Sequence, residues 1–198
     1  LMEQVEAARA RVLAAKSASP SKVAQDVEEM RGRLAGAQPG AQPSEPSNER
    51  DDVAAAPRHV GAQNWDAKSG PGRLQDVELI AQMGALLASS SARSTSAQLE
   101  ASVKAGWFAP SEADDLRDAA ALFGRLQAAS KLLTSGKLQP GQIGEGGRQF
   151  ILRETAIAAR ETLDIAALSA QLDAVAGRAR SAIAAIITRL RDSEQIAE

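Results

Sequence analysis

The stretch 164–190, DIAALSAQLDAVAGRARSAIAAIITRL, decides the fold class. Within it Ile165, Leu168, Leu172, Val175, Ala179, Ile183, Ile186 and Leu190 follow one another at intervals of 3, 4, 3, 4, 4, 3 and 4. Such intervals keep side chains on one stripe of an α-helix but scatter them over both faces of a strand. They predict a helix that starts near Asp164 and lends a nearly heptad seam to a helical bundle. The rest of the chain agrees. Alanine, which gives up least on entering a helix, occurs 42 times among 198 residues, and β-branched residues are few. The class is all-α.

Punctuation places four further helices after Trp65. Residues 74–88 are apolar nearly all round (Leu74, Val77, Leu79, Ile80, Met83, Leu86, Leu87), the mark of a central, buried helix, and a Ser-rich run, 89–96, ends it. A short helix over 97–105 uses Leu99 and Val103 and stops at Gly106, which permits a left-handed turn. Trp107, Phe108 and Pro110 form an apolar corner. Ser111 with Asp114 reads as a start like a capping box, and Leu116, Phe123, Leu126 and Leu133 continue that face to Gly136. A loop with five glycines, 136–147, precedes a shorter helix carrying Phe150, Ile151 and Leu152.

Before Trp65, two amphipathic patterns (Val5, Ala8, Val12; then Val23, Val27, Met30, Leu34) are separated at Ser19-Pro20, a good cap and first helical residue. From Gly36 to Asn64 four prolines and three glycines surround only two large apolar residues, Val53 and Val60, and a disordered linker is expected. The organisation expected is therefore a helix pair over 1–35, a linker over 36–64 and a helical bundle domain over 65–198. The helices before the linker should form a different packing unit from those after it. The chain opens inside a helical pattern, which reads as a cut.

Composition bounds the function. Twenty-three basic against 25 acidic residues give a net charge of −2, so bulk charge does not attract nucleic acid. Only 40 residues are Leu, Ile, Val or Phe, close to the least that can bury a core. Without cysteine there is no disulfide, thiolate metal site or Cys nucleophile, and a cytoplasmic setting is expected. No apolar run approaches the roughly 18 residues of a membrane span, and residues 1–11 do not resemble a secretory signal. His59, the one histidine, lies in the linker and is discounted as base or ligand.

Charged groups and a permissive backbone meet a buried helix at residues 65–82, WDAKSGPGRLQDVELIAQ. Gly70 and Gly72 would let amides approach an anion at the helix N-terminus, with Lys68 and Arg73 adding positive charge, so a phosphate could sit there. The plainer reading is that glycines and proline make the turn into the helix. Asp76 and Glu78 are two residues apart, about 200° on a helix, and cannot hold one metal ion together. Asp76 would complement the helix N-terminus, and Glu78, deeper in an apolar helix, should meet Lys68 or an arginine. A second concentration, GEGGRQFILRET at 144–155, offers either a functional turn that contacts a partner or, the plainer reading, a tight loop whose Arg and Glu fix it to neighbouring helices.

Together with KVAQDVEEMRGRL at 22–34, these two stretches resemble, in order and spacing, the C-terminal portion of the bifunctional glutamine synthetase adenylyltransferase/adenylyl-removing enzyme of bacteria. The related uridylyltransferase of nitrogen control carries a similar Lys-x-x-Pro-Gly-x-x-x-Asp arrangement. The resemblance implies a parent enzyme that transfers AMP from ATP to a tyrosine of glutamine synthetase and removes it by phosphorolysis, governed by glutamine and the PII signal protein. It implies Mg²⁺ held by a paired-aspartate motif in a nucleotidyltransferase core. That pair is absent here, so no catalytic or metal residue is expected in this chain, which alone should be inactive and bind no cofactor. Lys68, Gly70, Pro71, Gly72, Asp76 and Glu78 match the family's motif and would lie near the nucleotide phosphates or clamp core against bundle. Arg73 stands where relatives commonly have glycine. Residues 36–64 are longer and richer in proline than the family pattern. The competing expectation is a stand-alone, non-enzymatic interaction module whose 165–190 seam binds a partner.

Overall fold

The computed structural model describes residues 19–36, 65–136, 138–155 and 164–192. Among them are α1 (Pro20–Gly36), α2 (Leu74–Leu87), α3 (Thr95–Lys104), α4 (Pro110–Leu133), a single 3-10 turn (Pro140–Gln142), α5 (Glu145–Thr155) and α6 (Ile165–Asp192), with no strand. The all-α bundle expected from the 164–190 seam is what forms. The first helical pattern, the linker and His59 lie outside the described residues.

The longest helices, α4 and α6, form the axis of the bundle. Arg178 reaches Asp115 and Arg189 reaches Glu112, so numbers fall along one helix as they rise along the other, and the two run antiparallel. Between them lie Leu116, Ala119, Leu122, Phe123 and Leu126 of α4 and Leu172, Val175, Ala179, Ile183 and Ile186 of α6, all buried. Seven of the eight seam residues are buried, and Ile165, in the first turn, packs partly against them. With many alanines at the contacts, the backbones approach closely, which lets a chain poor in large side chains still enclose a core.

Helix α2 packs on α3, α4 and, at its start, α6. Val77, Ile80, Ala81 and Met83 are buried, but Leu86, expected inside, is 45% exposed, because no described helix covers the last turn of α2 on that side. Gly84 sits where α2 crosses α3. A Cβ there would stand 2.2 Å from Ser102 Oγ and 2.6 Å from the Phe108 ring, so the crossing depends on the missing side chain.

Several boundaries follow the expected chemistry. Ser94 accepts from the Ala97 amide at the start of α3, Gly106 turns left-handed after it (φ +79°), and Asp164 caps α6 through the Ala167 amide at 2.6 Å. Others differ. Helix α4 begins at Pro110, ahead of Ser111, and it is Glu112 that folds back onto the Ala109 amide at 2.8 Å. The Arg189 pair adds to Glu112 what Asp114 lacks, since Asp114 pairs with Arg117 one turn on. Helix α4 stops at Leu133 rather than Gly136 because Thr134 is extended. In the glycine-rich loop the Gly144 carbonyl accepts from Gly147 and Arg148, so Gly146 and Gly147 lie in the first turn of α5.

The expected separation of the early helices is not what α1 shows. Val23, Ala24 and Val27 lie in the same core cluster as the bundle, packed against α6 and α2. The far end of its apolar stripe, Met30 and Leu34, is 41% and 39% exposed. Ser19 caps α1 as expected, its hydroxyl accepting from the Lys22 amide and its carbonyl from Val23.

Candidate functional site

The glycine-containing turn at 65–76 lies at the meeting of α1, α2, α4 and α6, and several of its residues hold it there. Trp65 is 3% exposed and donates its indole N–H to Ser169 Oγ of α6 at 3.0 Å, anchoring the entry to the turn. Asp66 Oδ1 accepts from the Lys68 and Ser69 amides, both at 2.9 Å, which bends the chain by the local bonding that aspartate favours. Gly70 and Gly72 take positive φ (128° and 73°), available cheaply only to glycine. At Gly72 the demand is also spatial, because a Cβ would stand 2.2 Å from the Ala176 carbonyl oxygen of α6. The turn is wedged onto that helix by its backbone.

The Gly72, Arg73, Leu74 and Gln75 amides are engaged inside the turn. Arg73 N donates to the Gly70 carbonyl (3.1 Å), Leu74 N to Ala67 (3.3 Å), Gln75 N to Lys68 (3.1 Å), and the Gly72 amide donates to Asp76 Oδ2 (2.8 Å). The charge at the N-terminus of α2 is thus supplied by Asp76, which is 7% exposed. Asp76 is held from the other side by Arg31 of α1, with Nε 2.5 Å from Oδ1 and Nη2 3.1 Å from Oδ2. A bidentate pair of this kind is directional as well as attractive. Beside it a cleft of about 380 Å³ runs between α1 and the turn, lined by Glu28, Arg31, Leu34, Pro71, Gln75 and Asp76.

Arg73 turns inward. Its guanidinium is 5.2 Å from the Phe123 ring centroid, Nη1 donates to the Asp66 carbonyl at 2.7 Å, and Nη2 lies 3.9 Å from Asp173. Burial pushes the guanidinium below its usual range, while Asp173 and Asp66 pull it back. Arg73 is therefore a structural pin joining the start of α2 to α4 and α6.

Lys68, Gly70, Pro71, Gly72 and Asp76 come together on one turn, and Glu78 stands apart on α2. Lys68 is exposed and Glu78 half-buried; among the described residues neither has a side-chain partner, so the expected Glu78 ion pair does not form. Arg31 is the residue that sequence reasoning missed. Its signal was there: Val23, Val27 and Arg31 recur every four residues, placing a cation at the end of the buried stripe. The described residues do not fit a Mg²⁺ centre, since both Asp76 oxygens are engaged and no cluster of three acidic or histidine ligands forms among them.

At 144–155 the charged groups act locally instead of tying α5 to its neighbours. Arg148 donates to the Ile143 carbonyl at 3.2 Å and lies near Glu145, while Arg153 covers Phe150 and pairs with Glu154. Ile151 makes the buried contact to the core.

Residues 50–139 match the family model described as GlnD PII-uridylyltransferase, which spans the whole turn and α2 to α4. The match points to a nucleotidyltransferase-related segment of the kind found in nitrogen regulation. No curated protein and no solved structure matches the chain. No helix among the described residues is long and apolar enough to cross a membrane.

Proposed function

We propose that this chain is the helical portion following the catalytic core of a nucleotidyltransferase that adenylylates and deadenylylates glutamine synthetase. The observation that carries its nucleotidyltransferase part is the family-model match over residues 50–139, which includes the turn at 65–76, while the adenylylation of glutamine synthetase rests on the resemblance of the stretches 22–34, 65–82 and 144–155. In this reading the ATP and Mg²⁺ chemistry belongs to a core outside the chain, in the cytoplasm, and glutamine and PII act as effectors. The turn serves as the junction between core and bundle rather than as a phosphate cradle: the amides of Gly72, Arg73, Leu74 and Gln75 already have partners, the Asp76 carboxylate already answers the N-terminus of α2, and Leu34, partly exposed beside the cleft, offers apolar surface to a neighbouring domain. Lys68, exposed and unpartnered among the described residues, is the side chain free to reach across.

The test compares chain and parent. Given ATP, Mg²⁺ and glutamine synthetase, the chain alone should incorporate no AMP and the full-length parent should; labelled product from the chain overturns the placement of the metal site. In the parent, Lys68→Ala should lower the transfer rate roughly tenfold with helix content unchanged, the loss expected of one charge-assisted contact. An unaltered rate makes Lys68 scaffold. The family-model match also favours a second reading, in which the parent transfers UMP to PII. Offering the parent UTP with PII, and ATP with glutamine synthetase, separates the two.

A further inference from the structure

We propose that Arg31, Asp76 and the Gly72 amide form a latch that couples the docking of α1 to the conformation of the glycine turn. The latch is built only from this chain's own residues, whichever substrate the parent modifies.

Helix α1 is seated by small side chains, Val23, Ala24 and Val27, and beyond them the contact is polar: Arg31 on Asp76, and Glu28 with Arg191 of α6. The last apolar residues of its stripe, Met30 and Leu34, gain little from docking because they stay exposed. A helix held this way can leave its seat more readily than α4 or α6, whose faces are buried throughout. Asp76 makes the departure felt elsewhere. Its carboxylate is almost fully buried and shared between the guanidinium and the Gly72 amide. Once Arg31 withdraws, a buried carboxylate with a single remaining amide donor is costly, so it turns toward water and gives up Gly72. The same free-energy link runs in reverse: whatever draws Gly72 away from Asp76 alters the grip on α1. The cleft between α1 and the turn gives the carboxylate room to move.

Amide exchange in the full chain tests this at rising, sub-denaturing urea. Gly72 should share the opening free energy and urea slope of the α1 amides of Val27 and Glu28, both lying below those of Leu122 and Phe123 in α4. Two variants approach the latch from opposite sides. Arg31→Met removes the guanidinium and keeps the stem, whereas Ala24→Asp unseats α1 without touching the turn. Each should speed Gly72 exchange about tenfold or more while α4 stays protected. The proposal is overturned if Gly72 follows α4 while α1 opens separately, if all three open only together, or if Arg31→Met exposes Gly72 and Ala24→Asp does not. The urea measurement on the unaltered chain decides even if a variant fails to fold.

Discussion

Gly72 combines two demands that a side chain cannot meet, a positive φ and a backbone contact with Ala176. Gly72→Ala should therefore destabilise the chain by about 2–4 kcal/mol, from left-handed strain plus overpacking against an unyielding carbonyl, and urea unfolding measures it. A glycine-proline-glycine run announces a turn in any sequence, and this much was legible. The contact with α6, a hundred residues away, was not, because nothing local encodes which helix the turn will meet. Arg73 shows the same limit. Beside two glycines and a lysine it read as part of a cationic surface, yet Phe123 and the Asp66 carbonyl draw it inside. Asp76 was legible as a helix-start carboxylate, whereas its partner lies 45 residues earlier on another helix.

At the scale of elements, local chemistry located every described helix but not always its ends. The start of α4 is instructive, because Glu112 is chosen over Asp114 by a tertiary partner. It accepts from Ala109 and receives both Arg189 guanidinium nitrogens, Nη1 at 2.9 Å and Nη2 at 2.6 Å, and the bond raises Arg189 above its ordinary value. Glu112 is 12% exposed in its side chain, so this pair is better shielded than the other ion pairs between α4 and α6. A double-mutant cycle of Glu112→Ala and Arg189→Ala should give a coupling of about 1–2 kcal/mol, against 0.5 kcal/mol or less for Asp115 and Arg178. Arg189 also donates to the Trp107 carbonyl at 3.1 Å, so its loss should loosen the corner between α3 and α4 as well.

Across the whole molecule, one core cluster runs from Val23 to Leu190, and the two tryptophans report on it from different sides. Trp65 is buried against α6 and Trp107 packs at the α3–α4 corner, so tryptophan fluorescence and far-UV circular dichroism should follow the same unfolding transition on heating; separated midpoints would mean the cluster is not one cooperative unit. What the sequence concealed at this scale is the membership of α1, because a long Pro-rich interval argues for separate units whereas burial depends on where the chain returns. That return has a consequence during synthesis. Glu28 meets Arg191, 163 residues later, and the Val23–Val27 face rests on α6, the last described helix to leave the ribosome. At about 5–20 residues per second, α1 waits on the order of ten to thirty seconds for its seat, its apolar stripe bare and open to chaperones throughout.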